Sequence, residues 1–285
     1  MSLPHHPWEE GADFTIGLKP IAPGQWLEGG EANPAARKDP LFAEARELVW
    51  AETPGSRAGQ QEVLELIEQA IGPDPKPGGP RRDLPPLYAA ARRVPDDLCL
   101  MQKVDGQWRL TALSLSAGSF FKAGEVAGRN LAELHGPVNG FGERFLTRVQ
   151  RIFEGLRPDL ILERRNWTVL NSPELHTPDS APIRARVGEI APAEAGQTLR
   201  LRVERQTLRR LPRTGGALFT IRVWVGPLAT VAEDPARLAA FARAWRSATP
   251  EFRAYKRFEL YDELVDAFLA SVGVPDSLGK DATAG

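Results

Sequence analysis

The segment Leu199-Arg-Leu-Arg-Val-Glu-Arg-Gln-Thr207 alternates between apolar and polar residues, which is typical of a β-strand with one buried face. One face of this strand carries Leu199, Leu201, Val203 and Arg205, and the other carries Arg200, Arg202, Glu204 and Gln206. Arg205 therefore falls on the apolar face, where a guanidinium costs several kcal/mol unless it is paired. Three interpretations stay open for Arg205: an internal ion pair, a strand that leaves the core at this residue, or a clamp for a carboxylate or phosphate.

A second strand, predicted over Leu160–Val169, shows the same alternation. Trp167 and Val169 share a face with Arg165, whereas Asn166 points the other way. A tryptophan in a strand is usually part of the core. The alternative is that Arg165, Asn166 and Trp167 present polar groups to a pocket.

The order of the elements indicates the fold class. Two strand-like runs, Leu98–Val104 and Gln107–Leu115, are joined by Asp105-Gly106, a preferred pair for a type I′ turn. Helices are expected near 124–134 and 143–156, and a last strand over Ala217–Val225. Two strands, then helices, then three strands favour an antiparallel sheet with helices on one face, which is an α+β architecture.

Further helices are expected before and after this sheet. Asp39-Pro40 predicts one helix start, and apolar spacing predicts another helix near 58–71. Asp234-Pro235 and Thr249-Pro250 predict the starts of helices near 235–248 and 251–271, and residues 171–195 are expected to form a loop. We expect one domain over residues 14–272, with a helical lead over 14–85 and tails at 1–13 and 273–285.

Composition excludes several classes of protein. The 36 basic and 37 acidic residues give a net charge of −1, so no overall field attracts nucleic acid or anionic lipid. A run of about 18 apolar residues, which would predict a membrane span, is missing from the sequence. The start of the chain does not show the pattern of a secretory signal, and Cys99 is the single cysteine. These features predict a cytoplasmic protein.

Four histidines and one cysteine leave few metal ligands, which excludes cysteine-rich zinc sites and thiolate iron–sulfur clusters. Haem needs only one axial side chain, because the porphyrin supplies four nitrogens. His135, which precedes Gly136-Pro137 after a short helical run, is the candidate ligand, and His176 is its competitor. The sequence shows neither a dinucleotide-binding glycine motif nor a Walker loop.

Four segments of the chain together resemble the haem-dependent oxidative N-demethylase family. They are Phe14-Thr-Ile-Gly-Leu-Lys-Pro-Ile21, Leu134-His-Gly-Pro-Val138, Arg165-Asn-Trp167 and Glu204-Arg-Gln-Thr-Leu-Arg-Arg-Leu-Pro212. The resemblance covers residues 14–270 and implies a PAS-like antiparallel sheet with flanking helices that holds haem b. It also implies a haem subunit that uses O₂ and electrons from a flavin-containing partner to remove a methyl group from a small amine as formaldehyde.

The resemblance also implies roles for individual residues. By motif position, His135 is the expected axial ligand of the iron. The expected cofactor-binding residues are Arg165, Trp167 and Arg205, and the expected catalytic residues are Glu204 and Asn166. The expected partners are the amine, O₂ and a flavin reductase protein, with neither nucleic acid nor membrane.

The chain departs from the family pattern at Phe120, Val126 and Asn139, all beside the expected pocket. These departures keep two alternatives open. One is a haem-binding PAS-like sensor of gas or redox state. The other is a divergent family member that no longer binds haem.

Overall fold

The computed structural model describes residues 3–10, 17–72, 83–135 and 143–274. Its centre is one seven-stranded antiparallel sheet in the order β1-β5-β6-β7-β3-β4-β2. The strands are β1 (Lys19–Ile21), β2 (Trp50–Glu52), β3 (Asp97–Val104), β4 (Gln107–Ser114), β5 (Ile161–Leu170), β6 (Arg200–Arg210) and β7 (Ala217–Pro227). The five long strands are compatible with the PAS-like expectation. Together with the flanking helices, they confirm the α+β prediction.

Local sequence signals explain the turns and several helix starts. Asp105 and Gly106 both have positive φ, 51° and 76°, as a type I′ turn requires, so the predicted hairpin of β3 and β4 is confirmed. Asp234 and Thr249 are N-caps as predicted, because their side chains accept hydrogen bonds from the N–H groups of Arg237 and Phe252.

The described residues include twelve α-helices. They are α1 (Pro34–Glu44), α2 (Arg46–Val49), α3 (Arg57–Ile71), α4 (Pro86–Ala91), α5 (Ala123–Val126), α6 (Leu131–His135), α7 (Glu143–Gly155), α8 (Ala181–Ala185), α9 (Ala195–Thr198), α10 (Pro235–Ser247), α11 (Pro250–Lys256) and α12 (Asp262–Ser271). The predicted helices near 58–71, 143–156 and 235–248 are confirmed as α3, α7 and α10.

Other predicted helix bounds were wrong. The first helix begins at Pro34, so Pro40 lies inside it, and the Asp39 carboxylate accepts hydrogen bonds from Tyr88 and Arg92 instead of capping. The helix expected near 124–134 is two short helices, α5 and α6, separated by a turn in which Gly128 has positive φ. The last predicted helix divides into α11 and α12, because Arg257 adopts the left-handed conformation. The loop expected over residues 171–195 contains α8, and α9 begins at its last residue, Ala195.

Helices cover both faces of the sheet, rather than the one face expected. We call the face that carries Arg165, Arg205 and Arg222 the back face, and the face that carries Arg164, Arg202 and Glu204 the front face. Buried side chains of α3, α4, α10 and α12 pack on the back face. Those of α5, α6 and α7 pack on front-face residues that include Cys99, Leu113 and Leu208. The helical lead and the C-terminal helices thus form a second helical layer, which covers the back face of the sheet.

Three arginines stand side by side on the back face, because Arg165 pairs with Arg205 and Arg205 pairs with Arg222 in register. Like charges directly opposite one another destabilise a sheet unless they are compensated. Arg205 is 1% exposed and lies 2.5 Å from Glu163 Oε2 and 3.1 Å from Glu28 Oε1. These contacts match the ion-pair interpretation of Arg205. Because Glu28 lies in the N-terminal lead, its ion pair with Arg205 also connects the lead to the sheet.

We predict that Arg205→Met lowers the free energy of unfolding by about 3–5 kcal/mol, because Glu163 and Glu28 lose their buried counter-ion. Arg165→Met is the matched control, since Arg165 is exposed to solvent and its pair with Glu163 is worth about 0–1 kcal/mol. Urea unfolding measures both. Equal losses in the two variants would show that the Arg205 ion pair does not stabilise the fold in this way.

Candidate functional site

A group of polar side chains lies on the front face of β5 and β6. Asn166 is paired in register with Glu204, so both point to this face. The Glu204 carboxylate accepts a hydrogen bond from Gln206 Nε2 at 2.9 Å and one from Arg202 Nε at 3.3 Å. Arg164 Nε donates to Gln206 Oε1 at 2.7 Å. The structure therefore brings the two predicted catalytic residues together and connects Glu204 to two arginines.

Glu204 is ionised at neutral pH. Burial alone would raise its pKa, but Arg202, Lys256 and the hydrogen bonds from Gln206 and Arg202 hold the pKa below its ordinary value. Each carboxylate oxygen has two lone pairs, so a bonded oxygen still accepts a further donor. Glu204 is thus a fixed negative charge on the front face rather than a proton donor.

The C-terminal helix α11 contributes Tyr255 and Lys256 to the same group. β1 pairs with β5 only as far as Glu163, so the part of β5 from Arg164 onward has no further described strand on that side. Lys256 interacts electrostatically with Glu204 and Arg164 across this edge, and burial lowers its pKa to about 8. Burial also raises the pKa of Tyr255, which is therefore neutral.

An apolar surface adjoins this polar group. β7 is the middle strand of the sheet, yet its front-face residues Phe219 and Ile221 remain partly exposed. The neighbouring Val223, which is paired with Glu204, is buried. Side chains at the centre of a sheet that is covered on both faces are normally buried. The front face therefore offers an apolar floor with charged groups at one end, which fits a flat group such as haem with an apolar body and a charged edge.

His135 is the last residue of α6, a helix on the front-face side. A reciprocal cap starts this helix: Glu133 N–H donates to Asn130 Oδ1 at 2.9 Å, and Asn130 N–H donates to Glu133 Oε2 at 2.7 Å. The cap fixes where the helix begins and therefore the position of His135 at its end. The His135 side chain and Asn139 lie outside the described residues.

His176 follows β5 and also lies on the front-face side, near Asp97 and Arg202. Both of its ring nitrogens are buried, and neither has a hydrogen-bond partner in the described part of the chain. Burial lowers the pKa of His176, so the ring is neutral at neutral pH. A neutral imidazole with an unused lone pair has the chemistry of a metal ligand, so His176 stays the competitor of His135.

The three predicted cofactor-binding residues besides His135 lie on the back face. Trp167 is buried against Trp8, Phe241 and Phe258, with ring centroids 5.3–6.0 Å apart. Every donor group of Arg205 is engaged, since Nε bonds to Glu163 and the two Nη atoms bond to the carbonyls of Trp26 and Gln25. Arg165 is paired with Glu163 at 2.9 Å. These contacts give the three residues a structural role and separate them from Glu204.

Sequence reasoning missed Arg164, Gln206 and Lys256 as site residues. For Arg164 and Gln206 the signal was present, because the strand alternation already placed them on the face of Asn166 and Glu204. What the alternation did not indicate was which face lies beside α6. Lys256 has no such signal, since it reaches the site from a helix about fifty residues later in the chain.

Two departures from the family pattern are visible on the front-face side. Phe120 has a positive φ of 61°, which is rare for a bulky side chain, and its N–H donates to the Thr177 carbonyl. Val126 is buried in the cluster beneath α5.

Among the described residues, no group of three or more His, Cys, Asp or Glu side chains is suited to hold a metal ion. No helix in the same ranges is long and apolar enough to cross a membrane.

We predict that the free energy of unfolding rises with pH between about pH 8 and pH 9. In this window Lys38 and Lys256 hold fewer protons in the folded chain than in the unfolded chain, because burial lowers their pKa values from 10.5 to about 8. Above about pH 9 the buried Cys99 and Tyr88 oppose this rise, because burial raises their pKa values. Lys256→Met should reduce the slope, whereas Lys103→Met, at an exposed lysine, should leave it unchanged. Urea unfolding at several pH values measures the slopes, and identical slopes in wild type and Lys256→Met would refute the burial of this ammonium.

A comparison with known protein families identifies the family of the chain. The model of the haem-dependent oxidative N-demethylase, alpha subunit-like family matches residues 74–265, more than half of the chain. The matched region includes β3 to β7, α6 and α11, and therefore every front-face residue described above. Three of the four sequence segments that carry the resemblance lie in this range, namely residues 134–138, 165–167 and 204–212. The suspected family is thereby confirmed: the chain belongs to the haem-dependent oxidative N-demethylase alpha subunit-like family.

Proposed function

We propose that this chain binds haem b against the front face and oxidatively N-demethylates a small methylated amine. In this proposal O₂ is the oxidant, and a flavin-containing partner protein supplies the electrons. The family match supports haem dependence and N-demethylation. The observation that supports the location is the partly exposed apolar floor of Phe219 and Ile221 beside the charged group around Glu204.

Bound haem would supply the redox chemistry that activates O₂ for oxidation of an N-methyl carbon. The chain would hold the group with an imidazole, apolar side chains and fixed charges. We assign the imidazole to His135 from its motif position at the end of α6. Because α5, α6 and α7 lie over the front face, they would also exclude water from the reacting groups.

We propose that Glu204 and Asn166 orient the amine. The Glu204 carboxylate, which Arg202 and Gln206 hold in place, would accept a hydrogen bond from the N–H of the amine. Asn166 Oδ1 is occupied by the N–H of Trp167 at 2.9 Å, which fixes the amide orientation and leaves its Nδ2 donor on the front face. Both groups act by position and hydrogen bonding, since Asn166 does not titrate and the ionised Glu204 has no proton to donate at neutral pH.

The first test concerns the iron ligand. Protein reconstituted with haem should show a strong Soret band, and His135→Ala should weaken that band severely because the axial nitrogen is lost. His176→Ala is the matched variant and should keep the band. The reverse pattern would identify His176 as the ligand, and wild-type protein without a Soret band would favour the haem-free alternative.

The second test concerns turnover. We expect formaldehyde release when the haem-loaded protein is given NADPH, a flavin reductase and a panel of methylated amines. Glu204→Gln, which keeps the size of the side chain but removes its charge, should lower kcat/KM by about 10- to 100-fold. Glu251→Gln, at an exposed carboxylate on α11, is the control. Reversible gas binding without turnover on any amine would favour the sensor alternative.

A further inference from the structure

The Asp97 carboxylate is buried on the front face and holds the loop that follows β4. Asp97 is 1% exposed, and it shares this face with Ile221, its partner in register. Its Oδ1 accepts hydrogen bonds from the Ser116 N–H at 2.7 Å and the Ser116 hydroxyl at 2.9 Å, and its Oδ2 accepts one from the Ala117 N–H at 2.9 Å. Hydrogen bonds to a buried carboxylate are strong, so they fix the orientation of this loop.

Arg202 connects this loop to Glu204. Its Nη2 donates to the Ala117 carbonyl, its Nη1 donates to the Leu175 carbonyl at 3.0 Å, and its Nε donates to Glu204 Oε1 at 3.3 Å. Each nitrogen of the guanidinium therefore has a partner, and the side chain is 1% exposed. The Asp97 carboxylate is thus connected to Glu204 by a continuous series of hydrogen bonds through the loop and the guanidinium.

The Leu175 carbonyl is positioned by the same loop. The Thr177 N–H donates to the Gly118 carbonyl at 3.0 Å, and the Phe120 N–H donates to the Thr177 carbonyl at 2.7 Å. Because Thr177 is two residues from Leu175, these bonds restrict where the Leu175 carbonyl can lie. The loop after β4 therefore positions both carbonyls that bind the Nη groups of Arg202.

This arrangement limits how Arg202 contacts Glu204. Arginine commonly binds a carboxylate through two parallel N–H···O bonds, which occupy both oxygens. Here both Nη groups donate to carbonyls, so Nε alone contacts Glu204 Oε1, while Gln206 Nε2 donates to Oε2 at 2.9 Å. One donor on each oxygen leaves lone pairs for a further donor. The carboxylate is thus held in place and still able to accept an N–H from a ligand.

We propose that Asp97 is a positioning residue of the front-face site. By holding the loop after β4, Asp97 keeps the Nη groups of Arg202 on the two carbonyls and keeps Glu204 available to the N–H of the amine. The inference rests on the proposed function for the identity of the ligand and adds the residue that prepares Glu204 for it. Without this hold on the loop, the guanidinium would turn toward Glu204 and occupy both carboxylate oxygens.

The first arm of the test compares Asp97→Asn with wild type in the haem-loaded protein. Asparagine keeps the size of the side chain, but its Nδ2 is a donor and cannot accept the Ala117 N–H. We expect KM for a methylated amine to rise about 10-fold, because Arg202 then pairs with Glu204 and the amine loses its acceptor. The value of kcat should stay within about twofold of wild type, because this hydrogen bond is made equally before and during the reaction.

The second arm separates position from charge and from stability. Ser116→Ala removes one hydrogen bond to Asp97 without changing any charge, and it should raise KM about two- to threefold. Glu62→Gln is the matched control, because Glu62 is 1% exposed and accepts hydrogen bonds from the N–H groups of Arg213 and Thr214 on the turn between β6 and β7. This control should lose stability in urea unfolding, as Asp97→Asn does, and should keep the wild-type KM.

The third arm is a crystal structure of Asp97→Asn, which needs no turnover. We expect at least one Nη of Arg202 to leave its carbonyl and to bond to Glu204 at about 3 Å. An Arg202 side chain that stays on both carbonyls would show that Asp97 does not position it.

The other outcomes are decisive in the same way. An unchanged KM in folded Asp97→Asn, or an equal rise in Glu62→Gln, would overturn the inference. A rise in Asp97→Asn without one in Ser116→Ala, with Arg202 unmoved, would give Asp97 a purely electrostatic effect and would also overturn it. If the wild type turns over no methylated amine, the proposed function fails, while the crystal structure still decides whether Asp97 positions Arg202.

Discussion

Arg205 lies buried in the middle of the sheet with Glu163 and Glu28 as its counter-ions. A strand has a side-chain period of two, so a slip of β6 by one residue would send Arg205 to the front face and Glu204 to the back face. Such a slip would leave both charges without partners and would expose the leucine and valine side chains of the strand. The buried ion pair and the apolar alternation therefore act together to fix which groups face α6.

This constraint separates two sets of arginines that are neighbours in sequence. On the back face the arginine row is compensated by Glu163, Glu28 and Glu31, two of which come from the N-terminal lead. That compensation binds the lead to the sheet and gives those arginines a structural task. On the front face Glu204 has its own arginine partner in Arg202, and further cations lie beside it. In the proposed function, stability and haem binding thus use opposite sides of the same two strands.

Much of this arrangement could be predicted from the sequence. The Asp105-Gly106 hairpin, the α7 stripe and the alternation in β5 and β6 each depend on local chemistry, and each was confirmed. The helix start at Asp39 was wrong because Asn33-Pro34 offers the same signal earlier, and Asp39 is used in a tertiary contact with Arg92. Lys256 could not be found locally, since its place depends on how α11 packs around an open sheet edge. The assignment of Arg165, Trp167 and Arg205 to the cofactor came from motif position, which does not distinguish the two faces of a strand.

The central claim is that the front face, and not the back face, holds the cofactor. A crystal structure of the haem-loaded protein tests it most directly. The account predicts a porphyrin between the front face and α5 to α7, on the side of the sheet that carries Glu204 and not on the side that carries Arg165 and Arg205. A porphyrin on the back face, or carboxylates bound by Arg165 or Arg205, would contradict the account.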